Sequence, residues 1–245
     1  MWFLLVTGLS VLFQHINAQA EIEGLLGNCL NSGDELDTCL AQLAEELRPY
    51  MSTGLPDYNL PKTEPMFLDN VVIKLSKLPI DVTAIFTDST VNGLSGFKLN
   101  SIHADTSSQS ILLKMTIPLL SAAGDYSMTG NAIVTIDDSN GPYQVVMENV
   151  EVEILSTLTQ ENGVLLIKED PLITVDVGKL NVNFENLFGG KTPEFAKVIH
   201  QFVNNDSKAF TKDFGPQITQ QVGSLIKGFY NGAVTGIDPA LFGVN

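Results

Sequence analysis

Histidine and tryptophan are scarce in this chain, cysteine is nearly missing, and basic side chains are heavily outnumbered. Three histidines, one tryptophan and two cysteines are spread over 245 residues. Cys29 and Cys39 have no histidine beside them, which argues against a zinc site, and no metal or other cofactor is expected. Lys and Arg total 13 against 28 Asp and Glu, a formal charge of −15. That balance argues against nucleic acid and against anionic membranes as partners. Beyond the first residues no run approaches the ~20 apolar residues that a membrane span needs, so stable membrane insertion is not expected.

Catalytic groups are also missing. One histidine, His15, falls in the apolar leader, which leaves His103 and His200. Gly93-Leu94-Ser95-Gly96-Phe97 fails the G-x-S-x-G nucleophile elbow at its last position. Nothing resembles a phosphate-binding loop. No catalytic residue is assigned. An esterase or lipase acting on lipid-like substrates stays as the alternative that ester hydrolysis lost on Ser95→Ala would revive. A protein that binds lipid surfaces is the other alternative.

What is present begins with that leader. Met1 to Phe13 is mostly apolar and uncharged, and Ala18-Gln19-Ala20 offers small residues for cleavage. The expectation is a signal peptide over 1–20, a single domain over 21–245, and a secreted protein. In an extracellular setting Cys29 and Cys39 are expected to form a disulfide, with free thiols or a metal site as the alternatives.

Leu36, Leu40, Leu43 and Leu47 recur at helical spacing, and Ser32 to Glu35 fits a capping box, so a helix is predicted over 32–50. Gly54 to Pro65 holds three prolines and predicts an extended crossing. From Met66 to Phe184 the period becomes two, as in Tyr126, Met128, Gly130, Ala132, Val134 and Ile136. Asp137 to Pro142 reads as a turn between two strands. Around Gly178 the apolar positions change parity, which predicts a β-bulge.

Thr192-Pro193-Glu194 then starts a helical stripe: Phe195, Ile199, Phe202, Phe210, Phe214, Ile218, Val222, Leu225 and Phe229. Gly215-Pro216 predicts a kink. Asn204 to Ser207 is poor helix sequence, and Asp206 reads as a local break rather than a ligand contact. The order is α+β: a short N-terminal helix, then a long, strongly curved antiparallel sheet wrapped around a long kinked C-terminal helix.

Several motifs, in this order, resemble the takeout and haemolymph juvenile-hormone-binding proteins of insects, a family with the tubular lipid-binding fold. They are the pair Cys29 and Cys39 ahead of a helix ending in Leu47-Arg48-Pro49, and the ladder Gly54-Leu55-Pro56, Leu60-Pro61, Glu64-Pro65. They continue with Gly93-Leu94-Ser95, with Pro118 followed by Gly124-Asp125-Tyr126, and with Asn186-Leu187-Phe188-Gly189-Gly190. The resemblance covers nearly all of the chain after the leader. It implies a tunnel along the long helix and a small hydrophobic ligand such as a terpenoid hormone, a fatty acid or a similar lipid.

The candidate lining is Phe195, Ile199, Phe202, Phe210, Ile218, Val222 and Leu225 on the helix, with Tyr126, Met128 and Val134 from the sheet. Plain core is the competing assignment for each of them. Asn205-Asp206-Ser207 is the single glycosylation sequon, with Asn205 as acceptor. A monomer is expected, and a receptor stays open.

Overall fold

The computed structural model describes residues 24–25, 27–29, 35–77, 79–132 and 134–235. The leader and the capping-box residue Ser32 lie outside the described residues. Helix α1 spans Leu36–Leu47 and passes into a 3-10 turn, Arg48–Met51, with Pro49 inside that turn. Glu35 precedes α1 and makes no capping bond with its side chain. A disulfide joins Cys29 to Cys39, which lies in α1.

The proline-rich segment is not an extended crossing. Leu55 and Leu60 exchange backbone hydrogen bonds of 2.8 and 3.1 Å around a 3-10 turn at Pro56–Tyr58. The loop folds back because Leu55 and Tyr58 find cover there. Both are buried against Leu47, Tyr50 and Leu60.

Among the described residues seven antiparallel strands follow: β1 Met66–Lys77, β2 Ile80–Asn92, β3 Lys98–Asp105, β4 Ser110–Ala132, β5 Val134–Glu161, β6 Val164–Ile167 and β7 Leu172–Phe184. β4 and β5 run 23 and 28 residues, long enough for each to pair with more than one neighbour along its other side. β4 pairs with β3 near its start and with β2 near its end, while β5 pairs with β7 and then β6.

Bends let such long strands coil. Around Gly178 the expected bulge is absent, because the register of β5 with β7 runs through unbroken. Instead Asn149 stands unpaired opposite Gly178, and opposite Pro118 in the pairing of β4 with β5, which makes a bend without an extra residue. Asn149 has φ 52°, which turns the side-chain alternation over. A crease thus crosses three strands at the level the parity change indicated.

Asp137 to Pro142 is not a chain reversal but part of β5. Asn140, Gly141 and Pro142 pair with Ser127, Tyr126 and Asp125 of β4. Between Met128 and Gly130 the register shifts, and Gly130 and Gly141 have φ 136° and 150°. Glycine and the acidic pair therefore serve a bulge, while the strand stays paired.

Helix α2 spans Pro193–Asn205 and helix α3 spans Ser207–Val234. The interruption falls at Asp206 (φ −128°, ψ 60°), whose carboxylate accepts the Ala209 N–H at 3.1 Å as an N-cap. α3 continues as one helix through Pro216, and the local break expected at Asp206 is where the two helices part. A helix ends more cheaply where a side chain can replace the missing backbone bonds.

The loop over 93–97 is held by charge. Arg48 donates to the carbonyls of Ser95 and Phe97, at 2.6 Å each, and lies 3.8 Å from the Phe97 ring centroid. Glu64 accepts the N–H groups of Gly93 and Ser95 at 3.0 and 2.9 Å. Burial pushes the Glu64 pKa up, but those backbone bonds pull it further down, to a net lowering below 4.5. A depressed carboxylate pKa contributes stability at neutral pH that is lost as pH falls through the folded value. Glu64→Gln is expected to cost about 1 kcal/mol at neutral pH and to flatten the acid side of the stability curve, measured by urea unfolding.

Candidate functional site

Register and burial together define the concave face. Ile117, Val150 and Val177 form a row across β4, β5 and β7, and they are 5, 2 and 2% exposed. The next rows on the same face are Met115–Val152–Val175 and Leu113–Ile154–Ile173. Every residue in those two rows is aliphatic and only half buried. Past the crease the face continues as Leu120–Met147–Leu180 and Ala122–Val145–Val182, and it ends in aromatics. There Tyr143 and Phe86 pack edge to face at 4.8 Å, as do Tyr126 and Phe184 at 4.9 Å.

The helices close the open side of this half-barrel. An edge strand leaves N–H and C=O groups unpaired. On β1, Gln217 and Gln221 accept the N–H groups of Ser76 and Lys74 at 2.8 and 3.0 Å. On β7, Ser207, Asn204 and His200 accept those of Leu180, Val182 and Phe184 at 2.8, 2.7 and 3.1 Å. Asn231 does the same for Ile167 of β6 at 2.8 Å. α3 is a stave between two edges. Helical spacing places Ile218, Val222 and Leu225 on the arc between those two flanks, away from exposed Gln220 and Ser224.

The sequence-derived candidates separate into two groups. Phe195 and Ile199 pack on the buried cluster of Tyr126, Leu187 and Phe188, with Phe195 and Phe188 edge to face at 5.3 Å. Phe210 packs beside the central cluster that holds Val203. Tyr126 is 2% exposed and donates to the Glu185 carbonyl at 2.7 Å, and burial pushes its pKa up to about 12. Met128 is partly buried against the same aromatics. Ile218, Val222 and Leu225 are half buried and belong to none of these buried clusters. Phe202 turns outward and is 54% exposed, so the stripe on α2 runs through Phe195, Ile199 and Val203 instead. The side chain of Val134 lies outside the described ones.

His103 is an exposed surface residue that meets Asp37 of α1 at 2.7 Å, an arrangement that raises its pKa. Asn205 is exposed at the end of α2. A groove of about 430 Å³ runs outside the β7 edge between Phe184, Leu187, Pro193, Ala196, Lys197 and His200. What sequence reading missed were the edge-capping amides, whose sequence signal was polar residues on one flank of an otherwise apolar helix.

Ser139 shows how finely the aromatic end is held. It is 2% exposed, and its hydroxyl accepts the Phe188 N–H at 2.7 Å. Phe188 sits at φ 59°, a strained region for a bulky residue. Ser139→Ala is expected to destabilise by about 1–3 kcal/mol by leaving that amide unpaired, measured as a fall in the urea midpoint.

Residues 3–239 match the family model "Haemolymph juvenile hormone binding protein (JHBP)". The chain belongs to this family. Among solved structures it is similar to Takeout 1 of Epiphyas postvittana, at 18% identity and a TM-score of 0.68. That match covers 84% of this chain and 95% of the Takeout 1 chain, and it establishes the shared fold. A lipopolysaccharide binding protein matches more weakly, at 12% identity and a TM-score of 0.32 over 78% of this chain and 39% of that one. No curated protein matches the chain by sequence. The family member described here thus shares a curled sheet closed by a C-terminal helix with Takeout 1.

Proposed function

We propose that this family member is a secreted, monomeric carrier for a small apolar ligand. The ligand lies between α3 and the concave rows Met115–Val152–Val175 and Leu113–Ile154–Ile173, facing Ile218, Val222 and Leu225. The supporting observation is that both rows and the helix residues Ile218, Val222 and Leu225 are apolar yet only half buried, while the neighbouring row Ile117–Val150–Val177 is closed. Removing apolar ligand surface from water supplies about 25 cal/mol per Å², and an aliphatic wall suits a fatty-acyl or terpenoid chain. Phe195, Ile199, Tyr126 and Met128 then act as the packed end wall, and Phe210 packs beside the central cluster.

Secretion after removal of residues 1–20 agrees with the disulfide and with the haemolymph proteins of the family. The test is native mass spectrometry of the secreted protein, followed by extraction and identification of bound material. A stoichiometric lipid or terpenoid is expected. No bound material, together with no uptake of a fluorescent fatty acid, would overturn the carrier reading.

A further inference from the structure

Among the described residues, α2 and α3 present six side chains that accept an N–H from a sheet edge. Five cannot titrate near neutral pH: Asn204, Ser207, Gln217, Gln221 and Asn231. All five also donate to the carbonyl of the residue they cap, at 3.2, 3.3, 3.5, 3.4 and 3.0 Å in that order. Each of these mimics a missing neighbour strand, whatever the pH. The sixth is His200. Its Nε2 accepts the Phe184 N–H at 3.1 Å, and its ring lies over the Phe184 ring with an interplanar angle of 22°.

An imidazole nitrogen accepts a hydrogen bond only while it carries no proton. Protonation would set an N–H of His200 against the N–H of Phe184. Among the described residues, the groove lining offers the cation no carboxylate. Lys197, on α2 itself, lines the same groove and carries charge of the same sign. Residues 187–190 carry no ionisable side chain, β7 brings Asn183 and Phe184 to this level with Glu185 just beyond, and α3 begins Ser207-Lys208. Burial holds the His200 pKa below its ordinary 6.5, in keeping with a neutral, accepting ring.

The joint at Asp206 lets α2 respond alone. α3 keeps its own anchors, with Gln217 and Gln221 on β1 and Asn231 on β6. α2 is tied to β7 by His200 and Asn204, and it covers the aromatic end through Phe195 and Ile199.

We propose that His200 is an acid-released clasp: its protonation frees α2 from the β7 edge and opens the aromatic end of the ligand channel, while α3 stays in place. The ligand half of this inference rests on the carrier function above; the clasp itself does not. For a base with a lowered folded pKa, the freed form binds the proton more tightly. The clasp is therefore intact above pH 6.5 and weakens as pH falls from there toward the folded pKa.

The experiment is hydrogen exchange with mass spectrometry on the full secreted chain, ligand-free, at about pH 7.5 and about pH 5, corrected for intrinsic exchange. Protection over 193–205 and at the Phe184 amide is expected to fall about tenfold on acidification, with 207–234 unchanged. His200→Gln keeps an acceptor that does not titrate, and it is expected to abolish the fall. An equal fall in His200→Gln, or none in the natural chain, overturns the clasp. An NMR titration of His200 gives a check without any variant: a ring that titrates above 6.5 overturns it as well. Retention of a fluorescent fatty acid is then compared at both pH values. Equal retention, with the exchange change present, overturns the opening of the channel. No uptake at either pH defeats the carrier reading and leaves the clasp result standing.

Discussion

Val222→Trp is expected to reduce uptake of a fluorescent fatty acid at least about tenfold, or about 1.4 kcal/mol of binding free energy, with little change in stability. Val222 lies between Ile218 and Leu225 on the inward arc of α3 and is half buried. If the space before it is a channel, the indole fills room that the ligand needs, and the fold has no packed neighbour to displace. If the space is closed core, the same change overpacks it and costs about 1–3 kcal/mol of stability. Binding titration and thermal unfolding on one variant thus separate the two. Gln220→Trp, on the exposed face of the same helix, is the control and is expected to bind like the natural chain. Undiminished uptake by Val222→Trp would place the ligand elsewhere.

Gly93→Val is expected to destabilise by more than about 4 kcal/mol, enough to prevent accumulation of folded protein. Gly93 has φ 100°, and a Cβ there would stand 2.1 Å from the Leu119 carbonyl oxygen. That oxygen belongs to β4, so relief means moving a strand. The same turn carries Leu94 and Phe97 to the central cluster, and Glu64 holds the Gly93 amide. Gly96, three residues on, has open space around it, and Gly96→Ala is expected to stay within about 1 kcal/mol. The comparison is made by urea unfolding of both variants, and similar midpoints would remove the steric account.

Much of this architecture was legible because period is a local property. Alternation in Ile173, Val175 and Val177, then in Leu180, Val182 and Phe184, located strand β7 and the bend in it, though that bend inserts no extra residue and is not the bulge the parity change suggested. Asp206 was legible as a break because Asn-Asn-Asp-Ser caps a helix better than it continues one. The errors came where one residue type serves two structures. Asp, Asn, Gly and Pro at 137–142 suit a turn, yet they also suit a bulge in a strand that keeps its partner. Phe202 follows the stripe by spacing alone but turns to solvent, because Ile199 and Val203 face the sheet.

The sequence by itself determined the α+β order, the acidic charge, the cysteine pair and the apolar faces of sheet and helix, since composition and period need no knowledge of neighbours. Which rows of the sheet are closed was decided only by tertiary structure. Burial depends on register between strands far apart in the chain, as where Ile117, Val150 and Val177 meet. The same holds for His200: nothing in its local sequence separates it from a surface histidine, and only the docking of α2 along β7 sets its Nε2 against the Phe184 amide.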